Sequence, residues 1–118
     1  MKLKFTAILI LAALSLVSCT RKPAIVGNIY INTDGAFLYI VDDKYAKENY
    51  SIKRHIVHTI NYELKDGKLI YDDMMGRVIL DISDDHTRIQ GTCGVLQLDL
   101  KKTDIKDASA EVRKLLGL

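Results

Sequence analysis

From Ala24 onward, apolar and polar residues alternate in short runs set apart by turn-forming residues, the two-residue period of half-buried strands. Ile25, Gly27, Ile29 and Ile31 alternate with Val26, Asn28, Tyr30 and Asn32, and Thr33-Asp34-Gly35 then supplies turn chemistry. Phe37, Tyr39 and Val41 follow, interleaved with Leu38 and Ile40, so this stretch predicts a hairpin. Residues 42–50 are polar and predict a loop or a single helical turn. Ile52, Ile56 and Ile60 fit a helical spacing as well as a strand spacing. The continuous face of Ile56, His58, Ile60, Tyr62 and Leu64, with dense β-branching, favours a strand from about Ile56.

Asp66-Gly67 marks a turn into Leu69, Ile70 and Tyr71, and Gly76 a turn into Val78, Ile79, Leu80 and Ile82. After the polar Ser83-Asp84-Asp85-His86, residues 88–100 predict the longest strand. Its inward set changes parity from Ile89, Cys93 and Val95 to Leu96, Leu98 and Leu100, which implies a bulge near Gly94. Towards the end, Ala108, Val112, Leu115 and Leu116 share one helical face, as expected of an amphipathic helix that covers an open end or edge of the sheet. The fold class that follows is mainly β: an antiparallel six-stranded meander, closed as a small barrel or left as a twisted sheet, with a short C-terminal helix.

The start of the chain has another pattern. Lys2 and Lys4 precede an almost wholly apolar run over residues 5–17, shorter than the ~17–20 residues that span a bilayer, and Leu16-Val17-Ser18-Cys19 closes it. These four residues resemble the lipobox of bacterial lipoproteins at every position. The resemblance implies a signal-peptide helix over residues 1–18, cleavage between Ser18 and Cys19, a diacylglyceryl group on the Cys19 sulfur and acylation of the new amino terminus. Several acyl chains hold a protein on its membrane where a single one binds only marginally. Thr20 follows the cysteine; by resemblance to the sorting rule of enteric bacteria, in which Asp at that place retains a lipoprotein in the inner membrane, the outer membrane is expected. The domains are then a leader over residues 1–18, a lipidated tether over 19–23 and a β domain over 24–118.

Removing the leader changes the charge. The full chain has 17 Lys and Arg against 15 Asp and Glu, and the excess of two is Lys2 and Lys4. A balanced mature chain without a basic, aromatic-laced stripe argues against nucleic acid as a partner. It also has no internal disulfide: of the two cysteines, Cys19 is committed to lipid and Cys93 stands alone. Cys93 lies in a glycine-flanked apolar run, where a buried, inert thiol is expected ahead of a catalytic thiol or an intermolecular disulfide.

Other chemical candidates are few. His55 and His58, three apart, face opposite ways on a strand and do not readily share a metal there, although on a helix they could. Asp84-Asp85-His86 reads as a solvated turn. Asp42-Asp43 and Asp72-Asp73 would bind calcium only if brought together, and neither sits in an EF-hand loop. No nucleophile elbow, phosphate-cradling glycine loop or His-Glu-x-x-His is present, so no enzyme, cofactor or metal is expected. Six tyrosines are the one excess. Tyrosine buries area at interfaces at low entropic cost, and Tyr45 and Tyr50 are the expected contacts to a partner.

The expected function is that of a lipid-anchored protein of the bacterial cell envelope, a non-enzymatic binding or structural module for an envelope protein partner. The march of hairpins and the closing strand over residues 91–101 are also similar to the small lipocalin-like envelope lipoproteins, although the chain has no tryptophan for the Gly-x-Trp of true lipocalins. That resemblance implies an alternative, a carrier of a small apolar ligand in a cavity lined by residues such as Ile29, Ile60 and Leu98. A further alternative is a lipoprotein that excludes phage or plasmids.

Overall fold

Eight antiparallel strands follow one another around a closed barrel: β1 (Ile29–Ile31), β2 (Phe37–Ile40), β3 (Tyr45–Asn49), β4 (His58–Lys65), β5 (Lys68–Asp73), β6 (Gly76–Ile82), β7 (Arg88–Cys93) and β8 (Leu96–Thr103). A 3-10 turn (Ile105–Asp107) and one helix, α1 (Ala110–Leu116), complete the chain. The computed structural model describes residues 23–50, 56–73 and 76–118; the expected leader helix, Ser18 and Cys19 lie outside the described residues. Every strand pairs with its neighbours in sequence, and β8 returns to β1 with Ile29 opposite Thr103 and Ile31 opposite Lys101. Closure leaves no free sheet edge.

The expected six strands are therefore eight, for two reasons. The polar stretch after Asp42, expected as a loop or helical turn, contains β3. Its Tyr-Ala-Lys-Glu-Asn sequence has little strand propensity of its own, but pairing with β2 and β4 places Ala46 and Glu48 inward. Asp42 makes the preceding turn, its Oδ1 accepting from the backbone N–H of Lys44 and Tyr45 at 2.8 and 2.7 Å. Second, the single bulged strand expected over residues 88–100 is a hairpin. Gly94, at φ 61°, turns the chain so that Cys93 faces Leu96. The parity change at Gly94 is thus the switch from one strand to the next. The turn expected at Asp66-Gly67 forms with φ 53° and 74°, both positive as a two-residue I′ hairpin requires.

Inward positions fill the barrel. Tyr30, Leu38, Ile40, Ala46, Leu69, Leu80, Ile89 and Leu100 are wholly buried, and Ile60, Tyr62, Tyr71, Val78 and Leu98 nearly so. An eight-stranded barrel is just wide enough for such side chains to fill. Ile25, 2 % exposed, joins the same core from the turns that precede β1.

A second apolar cluster lies on the outside. Ile29 and Phe37 face away from the interior and pack with Ala108, Val112 and Leu116, joined by Ile31, Tyr39 and Leu115. The apolar face expected of α1 is thus present, but it covers the outer wall of β1 and β2, since a closed barrel has no edge to cover. Ser109 caps α1, its Oγ accepting from Val112 N–H at 3.2 Å, and Gly117 ends it at φ 73°.

Elsewhere the outer wall is mostly polar, with Asn61, Glu63, Lys68, Asp81, Gln90, Gln97, Asp99 and Lys101 exposed and Tyr45 and Ile79 the exposed apolar exceptions on β3 and β6. This is the reverse of a membrane-spanning barrel, whose outer band is apolar. Cross-strand pairs lace the wall, Lys68 with Asp81, Arg88 with Asp99 at 2.7 Å and Arg77 with Asp72 at 3.3 Å. Each is exposed and screened by solvent, so these pairs add little to stability. Among the described residues no helix is long and apolar enough to cross a membrane.

Candidate functional site

Antiparallel order gives the barrel two ends. The chain arrives at one, the entry end, through the consecutive turns of residues 24–27, tied to β2 by Gly27 N–H donating to the Ile40 carbonyl at 2.8 Å. The Asp42 to Lys44 and Ser83 to Thr87 turns and the end of β8 lie there as well. Tyr30 closes this end from inside, its hydroxyl donating to the His86 carbonyl at 2.7 Å.

The far end carries the polar interior. Leu38 on β2 faces Glu48 on β3, which faces His58 on β4, so the barrel's alternation turns a carboxylate inward at its last layer. Glu48 Oε1 lies 2.7 Å from His58 Nδ1, with the acid side chain 11 % exposed and the imidazole 64 %. Burial raises the Glu48 pKa, and the bond to His58 opposes the rise. Beside them the hydroxyls of Tyr50 and Tyr71 are 2.7 Å apart, and the Cys93 thiol donates to Asp73 Oδ2 at 3.3 Å. The pairs form one electrostatic group, since Tyr50 and Tyr71 each feel both Glu48 and Cys93. Burial pushes both phenols well above their ordinary range. Burial, then the Asp73 carboxylate, pushes the thiol up to about 11. A thiol so held stays protonated at neutral pH and is a poor nucleophile. The cluster is built to donate hydrogen bonds and to order the far end.

Among the described residues, two grooves of the outer surface stand out. One, of about 400 Å³, runs over β3 to β6 between Lys44, Tyr45, Glu63, Ile70, Asp72 and Arg77. Tyr45 is 45 % exposed, and Ile79, the cross-strand partner of Ile70, 48 %. The other, of about 650 Å³, lies at the entry end between Gly27, the end of β8, the 3-10 turn and α1.

The structure separates the two tyrosines expected at one contact. Tyr45 opens β3 at the entry end and faces out, whereas Tyr50 follows β3 at the far end, packs against the barrel core and bonds Tyr71. His58 has Glu48 as its partner, and His55 lies outside the described residues. Asp42 and Asp73 sit at opposite ends of the barrel, so the two acidic pairs do not share a cation. Among the described residues no group of three or more His, Cys, Asp or Glu is arranged to hold a metal. Asp84-Asp85-His86 is a turn: Asp85 Oδ1 accepts from Ser83 Oγ, Thr87 N–H and Thr87 Oγ1, which lowers its pKa to about 2. Of the residues named for the apolar cavity, Ile60 and Leu98 belong to the interior and Ile29 to the outer cluster.

Sequence reasoning passed over Glu48 and weighed Asp73 only as half of an acidic pair. The inward parity of Tyr71 on β5 carries two residues on to Asp73, so that signal was present. Glu48 was hidden because its strand was not recognised. Comparison with models of protein families, with curated proteins and with solved structures found no match to this chain.

Proposed function

We propose that this chain is a lipid-anchored protein of the bacterial cell envelope, at the outer membrane, whose barrel is a non-enzymatic module that binds an envelope protein through its β3 to β6 wall. The anchor rests on Leu16-Val17-Ser18-Cys19. The observation that carries the contact is the groove beside Tyr45, where the exposed Tyr45 and the half-buried Ile70 stand among Lys44, Glu63, Asp72 and Arg77, with the exposed Ile79 opposite Ile70 on the next strand. An apolar centre inside a charged rim is the anatomy of a protein interface. A barrel without free edges offers a partner no strand to extend, so recognition falls to side chains. The tyrosines and leucines that fill the interior favour this reading over that of an apolar carrier.

The test is site-specific photo-crosslinking in cells, with the reactive side chain at position 45 and, as a control, at position 97 on β8. One defined partner trapped from position 45 and not from 97, and lost in Cys19→Ser, supports the module. Equal trapping from both positions, or none from 45 while the protein is still membrane-bound, overturns the assignment of this wall.

A further inference from the structure

The entry-end groove has a chemistry that the partner-binding wall does not explain. Three cationic side chains line it, Lys102 from β8, Lys106 from the 3-10 turn and Arg113 from α1, against the single acidic side chain of Asp104. None of the three cations is engaged in an ion pair among the described residues. The Arg113 Nε is buried without a hydrogen-bond partner. A buried guanidinium nitrogen left unpaired is costly, and an anionic oxygen in the groove would satisfy it. Ile29, Tyr39, Ile105 and Leu118 supply an apolar lining, with Ile105 and Leu118 at 40 % and 59 % exposure. A site with charge at one part and apolar surface at another fits an anionic amphiphile better than a bare ion.

We infer that this groove binds the phosphate headgroup of an anionic membrane phospholipid, with Lys102, Lys106 and Arg113 on the phosphate and the apolar lining against the glycerol and upper acyl chain. The choice of a lipid, as opposed to a soluble anion, follows from where the groove lies and rests on the lipid-anchor reading above. Gly27 is part of its wall, and the chain reaches Gly27 from Pro23 through tight turns, Val26 N–H donating to the Pro23 carbonyl and Asn28 N–H to that of Ile25. Only three residues separate Pro23 from Cys19, so the four steps between them reach at most about 14 Å. Two of the three are Arg21 and Lys22, which adds basic charge between the anchor and the barrel. An acylated Cys19 therefore holds the groove within reach of the headgroups.

Binding can be measured without the anchor, because β1 to β8 close the barrel entirely within residues 29–103. A chain of residues 20–118, which lacks Cys19, is sedimented with phosphatidylcholine vesicles and with the same vesicles containing phosphatidylglycerol. Retention only by the anionic vesicles is expected. Each basic residue near such a surface is worth about fivefold in affinity, so Lys102→Glu with Lys106→Glu should weaken retention at least about tenfold. Lys47→Glu with Lys65→Glu, two residues outside both grooves, makes the same change of net charge elsewhere on the barrel and should leave most of it. Arg113→Gln, checked for folding by circular dichroism, should weaken retention as well. No retention, or equal loss in the control pair, overturns the site. Retention abolished by inorganic phosphate at constant ionic strength overturns the lipid in favour of a soluble phosphate. Mass analysis of the membrane-extracted full chain reads Cys19 acylation separately, so a failure of the anchor is distinguishable from a failure of the groove.

Discussion

Gly91 and Leu80 should behave as one packing unit, and a double-mutant cycle can show it. Gly91 faces Leu80 on β6 and Leu98 on β8, at an inward position that every neighbouring strand fills with a large side chain. A Cβ at Gly91 would stand 2.7 Å from Leu80 Cδ2, 3.0 Å from the Ile79 carbonyl oxygen and 3.2 Å from Leu80 Cα. Leu80 thus occupies the space that a side chain at 91 would claim. Gly91→Ala overpacks the site, at a cost of about 1–3 kcal/mol. Leu80→Ala empties a wholly buried position and should cost about 2–5 kcal/mol. In the double variant the 2.7 Å clash disappears and the new methyl takes up part of the void. The two backbone contacts remain, each relieved by a few tenths of an ångström. The combined loss should fall short of the sum by about 1 kcal/mol or more. The assay is urea unfolding of residues 20–118, where a loss of about 3 kcal/mol moves the midpoint by about 1 M or more. Additivity within about 0.5 kcal/mol would refute the reasoning: Leu80 would then swing clear at no cost, and the missing side chain at 91 would have another cause.

Three further outcomes follow from the far end. At about pH 8 the Cys93 thiolate fraction should be some hundredfold below that of an ordinary thiol, so iodoacetamide labelling should be far slower in the folded chain than in urea, and Asp73→Asn should speed it; equal folded and unfolded rates would show that the thiol is not restrained. Because the folded Glu48 keeps its proton to a higher pH than the unfolded residue, the folded state binds more protons in the window from the ordinary carboxylate value up to the raised one, and stability falls there as pH rises. Glu48→Gln should flatten that fall in melting temperature, and parallel pH profiles for the two proteins would count against it. Tyr50→Phe should cost about 1–2 kcal/mol in urea unfolding through the lost hydroxyl contact to Tyr71, and an unchanged midpoint would remove that bond from the accounting.

Strand character was legible wherever one face was apolar and the turns used glycine, as at Asp66-Gly67. It failed in two physical situations. Where tertiary pairing overrides propensity, as in Tyr45–Asn49, a polar segment becomes a strand because the barrel needs it between β2 and β4. Where both faces of a strand are covered, alternation carries no parity: β1 and β2 are apolar on the inside through Tyr30, Leu38 and Ile40 and on the outside through Ile29, Ile31, Phe37 and Tyr39. The first expectation for Ile29 therefore had no basis to choose a side. The same uncertainty moved α1. Its apolar face was evident from Ala108, Val112 and Leu116, but what it covers depends on which residues of β1 and β2 point outward. The far-end cluster was out of reach for a third reason, since Glu48, Tyr71 and Cys93 come from three strands and meet only once the register is known.

The two ends of the barrel then differ in what they can do. A strand advances about 3.3 Å per residue, so the eight residues of β4 cover roughly 26 Å along the strand, or about 20 Å between the ends once the usual strand tilt of a barrel is allowed for. If Cys19 carries the anchor, the entry end sits at the headgroups and the far end lies a barrel's length away in the aqueous space. The far-end cluster is then too distant to meet the bilayer, and its protonated phenols and thiol serve to order that end. Tyr45, at the start of β3, opens close to the membrane, and its groove continues along the outer wall past Ile70 towards Arg77. A partner embedded in the same membrane would meet this wall side-on, with the tether raising the local concentration of the barrel beside it. Lengthening the tether before Pro23 by a flexible glycine-serine segment tests that geometry. The barrel would be unchanged, but position 45 should lose most of its crosslinking to a membrane-embedded partner, while a partner that is free in solution would be trapped as before.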